Sequence, residues 1–268
     1  ALNEAARAAG LRLGCAPDTF LGGGHQTARK LIDDGAIGTP VAGSAFFGCP
    51  GHERWHPAPG FYYLRGGGPM LDMGPYYITD LVNLLGPIAS VVGFATRPKA
   101  ERLVTSQPMN GTLIPVEVAT HVTGVLEFVS GAVVSITMSF DVPKHRHSPI
   151  EIYGSEGSLA VPDPNRFGGE VLVARAGGDW QEQALSHGNS EGEFRSIGVA
   201  DMAAGANAIV LNAGATENNL RNEDCRANML HTAPSTAMLT DGLAQYLMWK
   251  QWRDWALVEG EHEADQLF

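Results

Sequence analysis

The sequence predicts an α+β fold, in which a large, mixed but mainly antiparallel β-sheet is covered by helices. Segments between residues 88 and 185 are rich in β-branched and aromatic residues and are separated by short turns, as in consecutive antiparallel strands. Helical patterns precede this block, up to Leu85, and return after it, from Arg195. Polar and apolar residues alternate in "HVTGVLEF" (121–128), which indicates a sheet with one face on the core.

The individual elements follow from periodicity, caps and turn residues along the chain. The predicted helices span 1–10, a segment through Ala28, Leu31 and Ile32 that ends at Gly35, a segment that ends at Leu85, 195–211 and 236–258. The predicted strands span 11–17, 40–49, 88–97, 116–128, 132–140, two strands within 150–161, 170–175 and 180–185. A long loop at 50–68, rich in glycine, proline, histidine and aromatic residues, is of the kind that usually carries function.

Composition excludes several classes of partner. The formal net charge is −11 and the pI is about 5.2, which argues against a nucleic-acid or anionic-membrane binder. The three cysteines are widely separated and lack metal-ligand spacing. No secretory signal and no apolar run of membrane-spanning length is present, so a cytoplasmic location is expected.

The segment "RGGGPMLDMGPYY" (65–77) places Asp72 four residues before Tyr76, so in a helix the two side chains share a face. One interpretation is local: Asp72 caps a helix that begins near Pro75, and Tyr76 packs. The other is functional. Gly66–Gly68 would let a ligand approach the backbone, while the carboxylate orients the ligand and the phenol donates or accepts a proton.

The loop at 50–68 supplies a second group of candidates, because aromatic rings and imidazoles suit contact with a sugar or polyol ring. Substrate contact is predicted for His52, Trp55, His56, Tyr62, Tyr63, Gly67 and Gly68. A metal pair of His52 and His56, or a purely structural loop, are the alternatives. Prolines disfavour a helix there and no third ligand is evident, so no metal is predicted. His121 is expected to pack on a sheet face and Glu156 to serve a turn.

Four segments, in order, resemble one family. They are "KLIDDGAIGTPV" (30–41), "GGGPMLDMGPYYITDLVNLLGP" (66–87), "IEIYGSEGSLAVPDPN" (150–165) and "RSIGVADMA" (195–203). They resemble segments of the glucose–fructose oxidoreductase/inositol dehydrogenase/MocA (Gfo/Idh/MocA) oxidoreductases. The resemblance implies a Rossmann domain that binds NAD or NADP, followed by a domain whose sheet holds the substrate and forms a homo-oligomer. It also implies hydride transfer at a CH–OH group of a sugar, polyol or similar compound.

Two site residues follow from the resemblance, together with one departure. Asp72 matches the family's catalytic aspartate, and Tyr76 stands where most members have histidine and some have tyrosine. No GxGxxG follows a strand and the family's E-K-P lysine is missing, so no residue is assigned to cofactor binding.

The resemblance also divides the chain. Residues 1–20 look like the last helix and strand of a Rossmann domain, 21–204 like the C-terminal domain, and 205–268 like a divergent helical segment. The chain alone is therefore expected not to catalyse hydride transfer. The alternative is a non-catalytic module that binds a sugar or forms oligomers through its sheet.

Overall fold

A computed structural model describes residues 2–10, 17–187, 210–212 and 229–231. It divides into two compact units, one of Pro17–Ser196 and one of Ala1–Ala16 with Ile197–Phe268. In the second unit the described elements are helix α1 (Leu2–Ala8) and two three-residue strands. The predicted strand at 11–17 lies outside the described residues except for Pro17, and the segment 195–203 lies outside them entirely.

Within residues 17–187, the described part of the larger unit, there are ten strands and three helices. The strands are β1 (Pro40–Gly48), β2 (Ile88–Thr96), β3 (Glu101–Leu103), β4 (Leu113–Pro115), β5 (His121–Phe128), β6 (Val133–Ser139), β7 (Ile150–Gly154), β8 (Gly157–Val161), β9 (Leu172–Arg175) and β10 (Gln181–Glu182). The helices are α2 (Gly23–Asp33), α3 (Pro69–Asp72) and α4 (Gly74–Leu85), with 3₁₀ turns at Thr19–Leu21, His52–Arg54 and Pro59–Tyr62.

Eight of these strands form one sheet in the order β10-β9-β8-β7-β1-β6-β5-β2. Every neighbouring pair is antiparallel except β1 and β6, which are parallel, so the mixed and mainly antiparallel sheet is confirmed. The position of β1 in the middle of the sheet was not predicted, because strands next to each other in the sequence are the usual neighbours.

The core lies between the inner face of the sheet and the helices. Along β5, Leu126 and Phe128 are buried while Val125 and Glu127 are exposed, as the alternation predicts. Tyr77, Leu81 and Leu84 of α4 are buried in the same cluster as the inner-face residues. The helix ends at Leu85. The next residue, Gly86, has a φ of 89° that favours glycine, and its N–H donates to the carbonyl of Val82.

Several boundaries differ from the prediction. Residues 116–120 are not a strand, and 180–185 shrinks to β10. The β3–β4 hairpin was missed because its strands are only three residues long and are separated by a loop that contains Pro108.

The end of the chain holds one further correction. Val210–Asn212 (β11) pairs in parallel with Met229–His231 (β12), where the sequence predicted a helix up to residue 211. Short apolar runs such as "AIVL" do not distinguish a helix from a strand. Among the described residues, no helix is both long and apolar enough to cross a membrane.

Candidate active site

The loop at 50–68 is fixed by a buried ionic network. Arg102, on β3, donates to Glu53 Oε1 at 3.0 Å and also to Asp141, which follows β6. The Tyr63 hydroxyl donates to the other oxygen of Glu53, and the Arg102 guanidinium lies 4.9 Å from the centre of the Tyr63 ring. All four side chains are buried or nearly so, and charges this deep are tolerated only when paired.

Asp72 is the last residue of the one-turn helix α3 and faces this loop. Its Oδ2 lies 3.1 Å from Nε2 of His52. No side chain caps α4, whose N-cap residue is Met73, so the interpretation of Asp72 as a helix cap is wrong. The Asp72 side chain keeps 30% of its exposure, which leaves the carboxylate open to a ligand.

His52 is held from three sides and is itself only 8% exposed. Besides the contact with Asp72, its Nδ1 accepts a hydrogen bond from the Trp55 indole at 3.2 Å, and its backbone N–H donates to the Tyr63 hydroxyl at 3.0 Å. Burial alone lowers the pKa of His52, but the hydrogen bonds with Asp72 and Cys49 outweigh burial and raise it above the ordinary value.

Aromatic rings surround the imidazole of His52. Tyr62 lies 4.2 Å from it between ring centres, and Trp55 lies 5.3 Å away. His56 stands between Trp55 and Phe61, at 5.3 Å from each. Trp55 and Phe61 are the most exposed rings of this cluster, at 61% and 56%, and they present apolar surface to solvent.

Tyr62 is half-buried in this cluster and titrates less readily than a free phenol. Burial raises the pKa of Tyr62, and the neighbouring Asp72 and Cys49 raise it further. The phenol is therefore protonated at neutral pH and can donate a hydrogen bond.

Tyr63 is fully buried, contrary to the expectation that it contacts a substrate. Its hydroxyl accepts from the His52 backbone and donates to Glu53, so it supports the loop. Burial and the hydrogen bond to Glu53 raise the pKa of Tyr63, which keeps this donor protonated.

Close backbone packing and backbone conformation explain why glycine is required at positions 67 and 68. A Cβ on Gly67 would lie 2.5 Å from the carbonyl oxygen of Phe61. Gly68 has a φ of 88°, which favours glycine, and a Cβ there would lie 2.9 Å from the carbonyl oxygen of Ala119. Gly67 thus lets the chain pack against Phe61 and Gly68 lets it pack against Ala119, whereas their contact with a ligand stays a prediction.

Tyr76 lies in the first turn of α4, is partly buried and packs against the core. Its neighbour Tyr77 is buried at 2% exposure, and burial raises the pKa of its phenol. The break at Met73 puts Asp72 and Tyr76 on separate helices, so their joint action stays a prediction.

The other two side chains singled out in the sequence lie in the sheet and its turns. His121 Nδ1 is 3.0 Å from Ser139 Oγ across β5 and β6, and Glu156 lies in the turn between β7 and β8.

The charged residues Glu53, Arg102 and Asp141 of the buried network were not predicted from the sequence. No local pattern marks them as partners, because their contacts join residues 39 to 49 positions apart.

The first glycine triplet does not form a dinucleotide-binding turn. The glycine triplet at 22–24 follows a 3₁₀ turn rather than a strand, and a Cβ on Gly22 would lie 2.2 Å from the carbonyl oxygen of Phe167. These glycines serve packing of α2, not a phosphate-binding turn. No group of three metal-ligating side chains is found in the part of the chain that the structure describes.

Comparison with known proteins places this arrangement in a family. The sequence profile of the GFO/IDH/MocA C-terminal domain matches residues 25–160, just over half of the chain. The chain belongs to the GFO/IDH/MocA family. The matched range includes Asp72, Tyr76 and the whole loop at 50–68, so the site described above lies inside the family's C-terminal domain.

Solved structures show the same fold for the GFO/IDH/MocA chain. An NAD binding oxidoreductase from Klebsiella pneumoniae is 26% identical with a TM-score of 0.55, over 68% of this chain and 48% of that one. A levoglucosan dehydrogenase in complex with NADH and L-sorbose is 21% identical with a TM-score of 0.52, over 67% of this chain and 49% of that one.

A third solved structure agrees. An aldose-aldose oxidoreductase from Caulobacter crescentus complexed with glycerol is 21% identical with a TM-score of 0.53, over 69% of this chain and 51% of that one. The present chain thus spans about half the length of these solved relatives. Among curated proteins, no match to the chain was found.

Proposed function

We propose that the chain is the substrate-binding part of an NAD- or NADP-dependent oxidoreductase that acts on a CH–OH group of a sugar, polyol or similar compound. One observation carries the proposal: a partly exposed carboxylate, Asp72, contacts His52, whose ring belongs to an aromatic cluster with the exposed Trp55, in a GFO/IDH/MocA domain. Sugar rings present both apolar C–H faces and hydroxyl groups. The aromatic rings of this cluster can pack on the C–H faces, and the carboxylate can accept hydrogen bonds from the hydroxyl groups.

The proposed chemistry of this chain is the transfer of a proton. Asp72 accepts a hydrogen bond from the substrate hydroxyl and orients it. Tyr76, as the phenolate, takes the hydroxyl proton during oxidation and, as the phenol, returns it during reduction, which requires a neighbouring cation to stabilise the phenolate. The hydride acceptor is NAD or NADP, as the relatives solved with NADH suggest. The chain alone is expected to be inactive, because the glycines at 22–24 do not form a dinucleotide-binding turn and no other residue is predicted to bind the cofactor. Its location in the cytoplasm stays a prediction.

Calorimetric titration of the purified chain with a panel of aldoses and polyols tests the proposal. We expect saturable binding that Asp72→Asn weakens at least about tenfold, since one hydrogen bond to a charged group is lost. Trp180→Phe, a change of an exposed tryptophan outside the site, is expected to leave binding unchanged. Absence of binding to every member of the panel would contradict the proposal, and NAD(P)-dependent turnover by the chain alone would contradict the expected inactivity.

A second function, assembly into a homo-oligomer, is supported by the outer face of the sheet. Val92 and Phe94 of β2 and Val125 of β5 are all on that face and are 62%, 77% and 38% exposed. Contiguous apolar side chains at the surface are typical of protein interfaces. Polyol binding that NAD(P) does not affect, in a chain that self-associates, would favour a non-catalytic binding or oligomerisation module.

A further inference from the structure

We infer that His52 is a positioning residue for Asp72, and that Trp55 fixes the neutral imidazole of His52 in the tautomer whose single proton lies on Nε2. The tautomer rests on the geometry of the unliganded chain. The consequence for a substrate hydroxyl rests in addition on the function proposed above.

The two ring nitrogens of His52 face groups of opposite character. An indole N–H can only donate, so the Trp55 contact at 3.2 Å requires a lone pair on Nδ1. The neutral imidazole must then carry its proton on Nε2, where Asp72 Oδ2 accepts it at 3.1 Å. The three side chains therefore form a directed chain of hydrogen bonds from Trp55 through His52 to Asp72.

The surroundings keep the imidazole from turning over. The His52 ring is 4.5 Å from Phe140 and 4.2 Å from Tyr62 between centres, and only 10% of its side chain is exposed. Its backbone is tied to Tyr63, which is itself held by Glu53 and Arg102.

Charges and ionisable groups reach His52 from each element packed on it. Asp72 approaches from α3 and Cys49 from the end of β1, and both favour a second proton on the ring. Tyr62 lies against the ring from within the loop. The Trp55 indole opposes these groups, since a proton on Nδ1 would meet another N–H.

As a consequence, the two carboxylate oxygens of Asp72 have different roles. Oδ2 is occupied by His52, while Oδ1 has no hydrogen-bond partner among the described residues. A substrate hydroxyl would therefore bind Oδ1, at an angle that His52 sets. Loss of the indole N–H would leave His52 free to change tautomer or to gain charge, and the carboxylate would lose its fixed orientation.

The test is a titration of His52 by ¹⁵N-detected NMR on the unliganded chain, from pH 5 to pH 10. We expect the neutral ring to have its proton on Nε2. In Trp55→Phe we expect the titration midpoint to rise by roughly half to one pH unit, because one hydrogen bond to the neutral form is removed. In Asp72→Asn we expect the midpoint to fall by about one unit or more, because the neighbouring charge is lost.

Trp180→Phe is the matched control and should leave the midpoint within about 0.2 units, since Trp180 is no partner of His52. A proton on Nδ1 of the neutral ring, or a midpoint in Trp55→Phe equal to that of the control, would overturn the inference. A merely structural tryptophan would move neither quantity. These measurements need neither sugar nor NAD(P), so a failure of sugar binding would count against the proposed function only.

Discussion

His25 and Asp80 form a fully buried pair between α2 and α4, and the two nitrogens of His25 show its charge. Nδ1 lies 2.8 Å from Asp80 Oδ2, and Nε2 lies 2.9 Å from the carbonyl oxygen of Arg166. Both partners accept, so both nitrogens carry protons. Burial lowers the pKa of His25, but the Asp80 charge and hydrogen bond, with the bond to Arg166, outweigh burial and raise it.

A histidine whose pKa is raised on folding stabilises the native state below its unfolded pKa of about 6.5, and this contribution disappears as the pH rises through the folded value. We therefore expect the wild-type chain to lose stability between pH 6 and pH 9. Asp80→Asn should lose less over the same interval, because the asparagine no longer favours the imidazolium. Urea unfolding at the two pH values measures this difference.

The comparison isolates His25, since the raised pKa of His52 contributes equally in both proteins. Asp33→Asn is the control: its pair with Arg29 is half-exposed, and such pairs are worth little. An equal loss of stability in Asp80→Asn and wild type would contradict the assignment of charge to His25.

Among the elements, the loop at 50–68 shows how far sequence reasoning reaches. Its composition marked it as functional, and the end of α4 at Leu85 was readable from local signals. The partners of its residues were not readable. His52 meets Asp72 across 20 residues and Glu53 meets Arg102 across 49, so each contact exists only once the sheet has brought the segments together. Local periodicity contains no information on such pairings.

The same loop allows a matched test of packing. Gly67→Ala should lower the free energy of unfolding by about 1–3 kcal/mol, because its Cβ would meet the Phe61 carbonyl oxygen at 2.5 Å. Gly60→Ala, seven positions earlier, meets no atom within 4 Å and should change stability by less than about 0.5 kcal/mol. Urea denaturation of the two variants provides the comparison. Equal free energies of unfolding would contradict the prediction, because they would show that the loop accommodates the new Cβ without loss of stability.

At the scale of the whole molecule, the open face of the sheet governs assembly. Phe94 is 77% exposed, and a carboxylate there would have to be buried on association. If the outer face is the interface, Phe94→Glu should raise the dissociation constant of the oligomer at least about tenfold. Sedimentation velocity measures the shift toward monomer. Leu103→Glu, on the separate β3–β4 hairpin and 53% exposed, is the control, and an equal shift in both variants would argue for another interface.

The central position of β1 in the sheet has a consequence for folding during synthesis on the ribosome. β1 is made before the loop, α4, β2 and β5, yet its hydrogen-bond partners are β6 and β7. A nascent chain therefore carries both edges of β1 unpaired while those segments are synthesised, and unpaired strand edges invite aggregation. The antiparallel β5–β6 pair can form its hydrogen bonds as soon as both strands have been synthesised, and β1 must then pair with β6. The strand of the sheet that is synthesised first is therefore among the last to gain its partners.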